Sequence, residues 1–330
     1  MRLSSIGNEK IVLAMTKISF IIPCYFNEGN IPLTVDRLIK NESLFGPDLK
    51  FEYIMVDDGS KDNTFQELVY FYKRYPDKVK IVKLTRNFGV HNAILAGLNH
   101  STGHCHIVMS ADLQDPPELI PKMYRFWKQG FKIVVANRAG REEPCGQKFS
   151  SNAYHYLMRN LIFKNAPVGG FDLCLLDEEV RTALIKMNEK NTPLTYSLFW
   201  LGYEYINIPY VRQRRMIGHS QWTFSKKIKL FIDSIVSFSY IPIRIISLLG
   251  ILMGLIAIGY GIFIIYSKLT GRFLVEGWAY LIALLLLSSS FQLMALGIIG
   301  EYVWRGFDAS RNRPNYVIQT VLDIREKIQP

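Results

Sequence analysis

The 330-residue sequence predicts an α/β protein with a mainly parallel sheet, followed by two membrane-spanning helices. In the first 140 residues, short apolar segments of β-strand character alternate with amphipathic segments of helical length, which is typical of right-handed βαβ units. Further along, residues 245–266 and 278–299 are each 22 residues long and contain no charged side chain. About 20 apolar residues are enough to span the hydrocarbon core of a bilayer.

The strand–loop–helix unit recurs in order along the N-terminal part of the chain. Strands are predicted at 18–22, 53–56, 79–84, 106–109 and 133–136, and helices at 31–39, 64–72, 91–99 and 118–128. The carboxyl ends of parallel strands meet at one edge of the sheet, and ligands bind at that edge in open α/β folds. The loops therefore predict a cleft lined by polar side chains: Asn27, Glu28, Asp57, Asp58, Asp112 and Gln114.

The loop at 107–117 is the most informative of these segments. An apolar run ends there in Asp112 and Gln114, and two prolines then prevent regular structure from continuing at once. Carboxylate and amide oxygens suit a hard divalent cation that bridges phosphates. The alternative is an ordinary Asp-Pro turn, and the segment around Asp58 also fits a simple tight turn. Several carboxylates at one sheet edge repel each other without a cation or ligand, which favours a binding site.

The C-terminal part of the sequence predicts a membrane hairpin. The net charge is +11, and lysines and arginines flank both outer ends of the two apolar spans, which places both flanks in the cytosol. Neither span has a polar face, which disfavours the alternative of two buried core helices. Because the basic residues adjoin these spans, the charge does not indicate a nucleic-acid-binding protein.

Residues 223–243 combine apolar side chains with lysines, as in a helix that lies in the membrane interface. An amphipathic helix packed on the sheet domain is the alternative.

Residues 1–17 lack the continuous apolar core of a signal peptide, so the N-terminal part is expected in the cytosol. The predicted division is an N-terminal extension (1–17), a cytosolic sheet domain (18–222), a juxtamembrane segment (223–243), a transmembrane hairpin (244–300) and a cytosolic C-terminal tail (301–330).

Five motifs give the chain a family resemblance: PCYFNE at 23–28, VDDGSKDNT at 56–64, RNFG at 86–89, ADLQDPPE at 111–118, and the segment 212–222 ahead of two membrane helices. In this order they resemble the polyisoprenyl-phosphate branch of family 2 glycosyltransferases, which includes dolichol-phosphate mannose synthase and the bactoprenol glucosyltransferases. The resemblance covers almost the whole chain. It implies a GT-A-type, Rossmann-like nucleotide-sugar domain.

The resemblance also implies an activity. Such enzymes transfer a sugar, with inversion, from a nucleotide-diphosphate sugar to a polyprenyl phosphate; here we expect a UDP-sugar and undecaprenyl phosphate. The reaction would take place at the cytosolic face of a bacterial inner membrane, with Mg²⁺ or Mn²⁺, and would supply a lipid-linked sugar for cell-surface glycans. A homo-oligomer and a flippase partner are implied as well.

The resemblance assigns roles to individual residues. It places nucleotide-sugar binding at Pro23, Tyr25, Asn27, Glu28, Asp57, Asp58, Ser110 and Asp112, and the metal at Asp112 and Gln114. Catalytic roles fall to Asp112, Arg138 and Asp172. The acceptor phosphate is assigned to Arg138, Lys148, Arg212, Arg215, Ser220 and Lys226.

The sequence departs from the family pattern at three positions. Ser110 stands where the family has an aspartate, Asp172 follows two residues after the usual acidic position, and Gln221 replaces a lysine. Arg212, Arg215 or neighbouring cations are expected to compensate for that lysine. The departures also motivate an alternative, a catalytically inactive nucleotide-sugar-binding partner of a flippase or of a downstream transferase. A polysaccharide synthase is disfavoured because the sequence has no Gln-x-x-Arg-Trp motif.

Overall fold

The computed structural model describes residues 15–140, 171–187, 194–213, 236, 241–270 and 277–324. The chain forms two compact units, one of Met1–Phe224 with Asn315–Pro330 and the other of Ser225–Pro314. Several sequence-predicted features lie outside the described residues. These are Lys148, Arg215, Ser220 and Lys226, most of the N-terminal extension, and most of the juxtamembrane segment.

The first unit contains one eight-stranded sheet in the order β7-β5-β6-β4-β1-β2-β3-β8. Its strands are β1 (Thr16–Cys24), β2 (Leu49–Asp57), β3 (Val79–Leu84), β4 (Cys105–Val108), β5 (Ile133–Gly140), β6 (Leu173–Asp177), β7 (Tyr205–Val211) and β8 (Ile318–Leu322). The β4-β1-β2-β3 block and the β5–β7 pair are parallel, whereas β6 and β8 are antiparallel to their neighbours. The predicted mainly parallel α/β sheet is confirmed.

Helices of this unit connect or flank the strands. They are α1 (Ile31–Asn41), α2 (Thr64–Arg74), α3 (Val90–Asn99), α4 (Ile120–Lys128), α5 (Glu178–Met187) and α6 (Leu194–Trp200). Short 3-10 turns lie at Glu42–Leu44 and Pro117–Leu119. All five predicted strands and all four predicted helices are present, with differences of up to four residues at their ends.

The strands are buried on both faces, which is why they appear in the sequence as nearly continuous apolar runs. Ile18, Phe20 and Ile22 of β1 pack in one buried cluster, while Ile21 packs in a second, because successive side chains of a strand point to opposite faces. In register, Cys24 pairs with Asp57 and Asp57 with Lys83. The loops that follow the first three strands therefore begin at the same sheet edge.

The structure shows regular secondary structure within the predicted C-terminal tail, residues 301–330. Helix α8 continues to Ser310, beyond the predicted boundary at residue 300, and the segment that follows contributes β8 to the sheet. Strands β6 and β7 were not among the elements assigned from the sequence. These three strands are short, five to seven residues each, and they pair with strands distant in sequence. Local pattern gives little information on such pairings.

The second unit contains the helices α7 (Ile241–Leu269) and α8 (Trp278–Ser310). By length and composition, Pro242–Ser267 and Leu284–Ser310 are each apolar and long enough to cross a membrane, with mean hydropathies of 2.5 and 1.6. Most of their large apolar side chains are exposed, as expected of helices whose surroundings are apolar. At 1.5 Å per residue, α8 extends about 50 Å, longer than a bilayer core, which explains why charged residues follow residue 299.

Candidate active site

The turn after β1 brings three of the predicted nucleotide-binding residues together. Asn27 Oδ1 accepts a hydrogen bond from the Tyr25 amide at 2.8 Å, and the Asn27 amide donates to Thr64 Oγ1 at 2.8 Å. Glu28 Oε2 accepts from the Asn63 amide at 2.9 Å. In the described structure, Asn27 and Glu28 therefore hold the β1 turn against the start of α2.

Asp57 ends β2 and has a fully buried side chain. Its Oδ1 accepts a hydrogen bond from the Ser60 amide at 3.0 Å, while Oδ2 has no hydrogen-bond partner among the described residues. Burial raises the pKa of this carboxyl group, while hydrogen bonding by Ser60 and the Lys83 charge oppose that shift. An unpaired buried acceptor is costly, typically about 1–3 kcal/mol, so Asp57 Oδ2 is a position where a ligand donor is expected.

Asp58 uses its carboxylate to hold the next loop. Its two oxygens accept hydrogen bonds from the amides of Phe88 at 2.7 Å and Gly89 at 2.9 Å. Burial raises the pKa of Asp58 to about 6. The adjacent Gly59 has a φ of +68°, and a Cβ there would lie 2.4 Å from the carbonyl carbon of Arg86, so only glycine fits. The loops after β2 and β3 are therefore locked together.

The loop after β4 places Ser110 between two carboxylates. Ser110 Oγ lies 2.8 Å from Asp112 Oδ1 and 3.2 Å from Asp115 Oδ2, within donating distance of both. Asp112 Oδ1 also accepts from the Gln114 amide at 3.2 Å. The serine that departs from the family pattern thus orients Asp112 and links it to a fully buried second aspartate.

A divalent cation is compatible with this loop, but the protein would supply few of its ligands. No group of three or more His, Cys, Asp or Glu side chains within the described ranges could hold a metal ion. The Gln114 side chain donates weakly to the Gln213 carbonyl oxygen at 3.4 Å. Mg²⁺ usually keeps several waters and takes one or two protein carboxylates together with substrate phosphates. The residues present fit a cation held mainly by Asp112 and a diphosphate.

Four strands, β4 to β7, contribute residues in or next to them to a charged and polar group that we call the arginine cluster: Asp115, Arg138, Asp172, Tyr210 and Arg212. Arg138 and Arg212 both donate from Nη2 to Asp172 Oδ2, the latter at 2.9 Å. Tyr210 donates its hydroxyl to Asp115 Oδ1, and Arg212 Nε lies 3.8 Å from that same oxygen. Ser110 connects the cluster to Asp112 through Asp115.

Burial dominates the electrostatics of the arginine cluster. It raises the pKa of Asp115, and the nearby Asp172 charge raises it further, while Tyr210 and both arginines lower it. Burial acts to lower the pKa of Arg138, but the interactions with Asp172, Tyr210 and Asp115 together outweigh it and the pKa is raised. Asp172 itself is 42% exposed at its side chain. The two guanidinium groups that bind this accessible carboxylate can also donate hydrogen bonds to the oxygens of a phosphate.

The structure thus brings together described residues that the sequence assigned to the metal, to catalysis and to the acceptor phosphate: Asp112, Gln114, Arg138, Asp172 and Arg212. The sequence had assigned no role to Tyr210 in the site. The available signal was the alternation in β7, where Ile208 and Tyr210 are buried and Val211 is exposed. That signal has meaning only once β7 is known to be a strand.

A Rossmann-like, mainly parallel sheet with acidic and cationic groups at one edge is the GT-A type of nucleotide-sugar domain. The comparisons agree: residues 19–182 match the family model described as Glycosyl transferase family 2. The chain is 34% identical to the "Uncharacterized glycosyltransferase YkcC" of Bacillus subtilis (strain 168), over 94% of this chain and 95% of the relative. The chain belongs to glycosyl transferase family 2, which confirms the resemblance seen in its motifs.

Other relatives carry more specific names. One is the "Prophage bactoprenol glucosyl transferase homolog" of Escherichia coli (strain K12), 30% identical over 92% of this chain and 99% of the relative. Another is the "Undecaprenyl-phosphate 4-deoxy-4-formamido-L-arabinose transferase" of Klebsiella pneumoniae (strain 342), 28% identical over 93% and 94%. A solved structure of glucosyl-3-phosphoglycerate synthase from Mycobacterium tuberculosis with Mn²⁺, UDP and phosphoglyceric acid aligns at a TM-score of 0.47 and 18% identity, over 67% of this chain and 76% of that chain.

Proposed function

We propose that the chain transfers a sugar from a nucleotide-diphosphate sugar, a UDP-sugar, to a polyprenyl phosphate, undecaprenyl phosphate. The observation that carries the proposal is the arginine cluster, where Arg138 and Arg212 share the accessible Asp172 and Ser110 connects them to Asp112. This arrangement suits two phosphate-containing substrates bound side by side. The names of the two relatives that act on bactoprenol or undecaprenyl phosphate support the same substrate class.

The donor nucleotide binds where the loops after β1 and β2 meet. Asp57 Oδ2 accepts a hydrogen bond from the base or the ribose, which removes the cost of leaving this buried acceptor unpaired. In this proposal Pro23 and Tyr25, at the end of β1 and in the turn after it, also contact the nucleotide. Asp58 and Glu28 contribute indirectly, because their carboxylates hold the surrounding loops.

Ser110 and Asp112 orient the donor diphosphate. Mg²⁺ or Mn²⁺ held by Asp112, with Gln114 nearby, would supply positive charge for the departing nucleoside diphosphate. Ser110 fixes one oxygen of Asp112 by its hydrogen bond, which limits the orientations of that carboxylate. The serine can therefore replace the family's aspartate without removing the carboxylate on which the metal depends.

The acceptor phosphate displaces Asp172 from the two arginines. A phosphate monoester has a second pKa of about 6 and is mostly ionised at neutral pH, so the nucleophile requires no strong general base. Asp172 is then a counter-ion that keeps Arg138 and Arg212 in position before the acceptor arrives. Catalysis depends on positioning and on charge stabilisation. Direct displacement inverts the anomeric carbon and gives a β-linked product from an α-linked donor.

The two apolar helices support a reaction at a membrane. We propose a multi-pass protein of the bacterial inner membrane, with α7 and α8 as the spanning hairpin and the catalytic domain in the cytosol. The lipid-linked sugar forms on the cytosolic side, so its use in cell-surface glycans requires a flippase. A homo-oligomer is part of the same proposal.

A panel assay tests the proposal. Membranes that contain the chain are incubated with labelled nucleotide sugars, with undecaprenyl phosphate or with undecaprenol as the acceptor that lacks phosphate, and the lipid fraction is separated by chromatography. Label from a UDP-sugar should enter the lipid fraction only with undecaprenyl phosphate. Donor binding without any lipid-linked product would instead favour the inactive binding partner.

A further inference from the structure

The segment Asn315–Asp323 returns to the catalytic domain after the apolar helices and covers β3. Strand β8 pairs with β3 in antiparallel register from Ile81↔Leu322 to Leu84↔Ile318, with an irregularity beside Leu84. Lys80 Nζ forms an ion pair with Asp323 at 2.9 Å, and both side chains are largely buried. Without this segment, β3 would be an exposed edge of the parallel block.

The same segment contacts the loop before α3 and the C-terminal end of that helix. The Thr85 amide donates to the Val317 carbonyl oxygen at 3.0 Å, which fixes the start of the loop that leads into the helix. At the other end, Asn99 Nδ2 donates to the Tyr316 hydroxyl at 2.7 Å. The rings of Tyr316 and Phe88 pack against one shared apolar cluster, together with Ile318. The position of the loop 85–89 therefore depends on Asn315–Asp323.

The loop 85–89 in turn supports the turn that carries Asp57. Asp58 accepts the Phe88 and Gly89 amides, and Gly59 packs so closely on Arg86 that no Cβ fits between them. A shift of this loop cannot be absorbed at Asp58 and Gly59 without moving the backbone next to Asp57. A shift of the loop 85–89 therefore moves Asp57 Oδ2, the one buried carboxylate oxygen that has no hydrogen-bond partner in the described structure.

We propose that Asn315–Asp323 completes the donor site, with Tyr316 as a positioning residue that acts through the loop 85–89 on Asp57. This inference rests on the proposed function, because it takes Asp57 as the donor contact. The segment follows α8 in the chain. A protein that ends before Asn315 would contain every donor motif of the sequence and still lack the support for the donor pocket.

The test uses the full chain in lipid nanodiscs with three variants. Tyr316→Ala removes the packed ring, Tyr316→Phe keeps the ring and removes only the hydroxyl, and Gln319→Ala is the matched control because Gln319 is an exposed residue of β8. Amide hydrogen exchange is followed at Phe88 and Gly89, whose N–H groups bind Asp58. Binding of UDP in the presence of Mg²⁺ is measured by calorimetry, and the transfer kinetics follow for each variant.

Tyr316→Ala should speed exchange at Phe88 and Gly89 and weaken UDP binding roughly tenfold, since a misplacement of about 1 Å in a binding group can cost up to about a hundredfold. The KM for donor should rise more than kcat falls. In Tyr316→Phe and in the control Gln319→Ala, the amide exchange and the UDP affinity should stay near the wild-type values. If Tyr316→Ala does not fold, Ile318→Ala removes packing from the same cluster and should reproduce the effect.

Unchanged exchange and unchanged UDP affinity in Tyr316→Ala and Ile318→Ala would overturn the positioning role. Failure of the proposed function gives a different result. In that case the wild-type chain itself would not bind UDP, while the exchange at Phe88 and Gly89 would still respond to the loss of the Tyr316 ring.

Discussion

Replacement of Arg212 by alanine should separate acceptor binding from donor binding. Arg212 donates to Asp172 at 2.9 Å and is 22% exposed at its side chain, so its guanidinium group is accessible to a phosphate. A charge-assisted hydrogen bond is worth about 1.5–3 kcal/mol, which corresponds to roughly a tenfold to hundredfold rise in the KM for undecaprenyl phosphate. The donor contact at Asp57 involves a different loop, so the KM for nucleotide sugar should not change.

The assay is steady-state transfer with each substrate varied in turn, at low and at high salt. A direct phosphate contact keeps its effect at high salt, whereas a peripheral lipid contact costs only about 1 kcal/mol and fades as salt screens it. Lys132→Ala is the matched control, because Lys132 pairs with Asp177 and Glu179 before the start of β5, away from the carboxyl ends of the strands. Unchanged acceptor kinetics of Arg212→Ala at both salt concentrations would refute the assignment and direct attention to Lys148, outside the described residues.

Three further predictions concern the metal, acid stability and topology. Asp112→Asn should nearly abolish transfer while the thermal unfolding midpoint stays close to wild type, and a chelator should inhibit the wild-type enzyme until Mg²⁺ or Mn²⁺ is restored; equal turnover of the variant would reject the role of Asp112. Burial lowers the pKa of His106 to about 4 from its ordinary 6.5, so on acidification the unfolded chain takes up this proton before the folded chain does. The free energy of unfolding should therefore fall by on the order of 2 kcal/mol between pH 7 and pH 5. His106→Gln should reduce that acid-induced fall in the unfolding midpoint, and an identical fall would contradict it. A reporter fused after Pro330 should behave as cytosolic, and periplasmic reporter activity would exclude the hairpin.

The pH effect of His106 has an opposing contribution from Asp58. Burial raises the pKa of Asp58 to about 6, so between pH 4 and pH 6 the folded state holds a proton that the unfolded state has already released. That group alone makes stability fall as the pH rises through this window, whereas His106 makes it rise. Acid titrations of Asp58→Asn and His106→Gln should therefore change the stability curve in opposite directions.

The strands of the parallel block were predictable because each is an apolar run followed by a polar turn. Ile18, Ile21 and Ile22 are buried on the two faces of the sheet, and a strand buried on both faces appears in the sequence as a nearly continuous apolar run. The loop residues Asp57 and Asp112 were found for the same reason, since they stand directly after such runs. Family 2 motifs then connected them to a nucleotide sugar.

The remaining features depend on contacts between distant parts of the chain. No local pattern indicates that Ile318–Leu322 pairs with β3 after about 230 intervening residues, or that Tyr210 donates to Asp115. Nor does the sequence distinguish Asp57, with its unpaired oxygen, from Asp58, which binds two amides. Both were predicted to contact the nucleotide, and the structure gives Asp58 a supporting position.

The most direct test of sugar transfer is the stoichiometry of products in a purified system. The chain is reconstituted in vesicles with or without undecaprenyl phosphate and supplied with the UDP-sugar selected by the panel assay, and released UDP and lipid-linked sugar are both quantified, with Asp112→Asn as the inactive control. Sugar transfer to the lipid phosphate should release one UDP for each lipid-linked sugar formed, and no UDP should be released without the lipid phosphate. UDP release that is independent of undecaprenyl phosphate, or donor binding with no release at all, would contradict it.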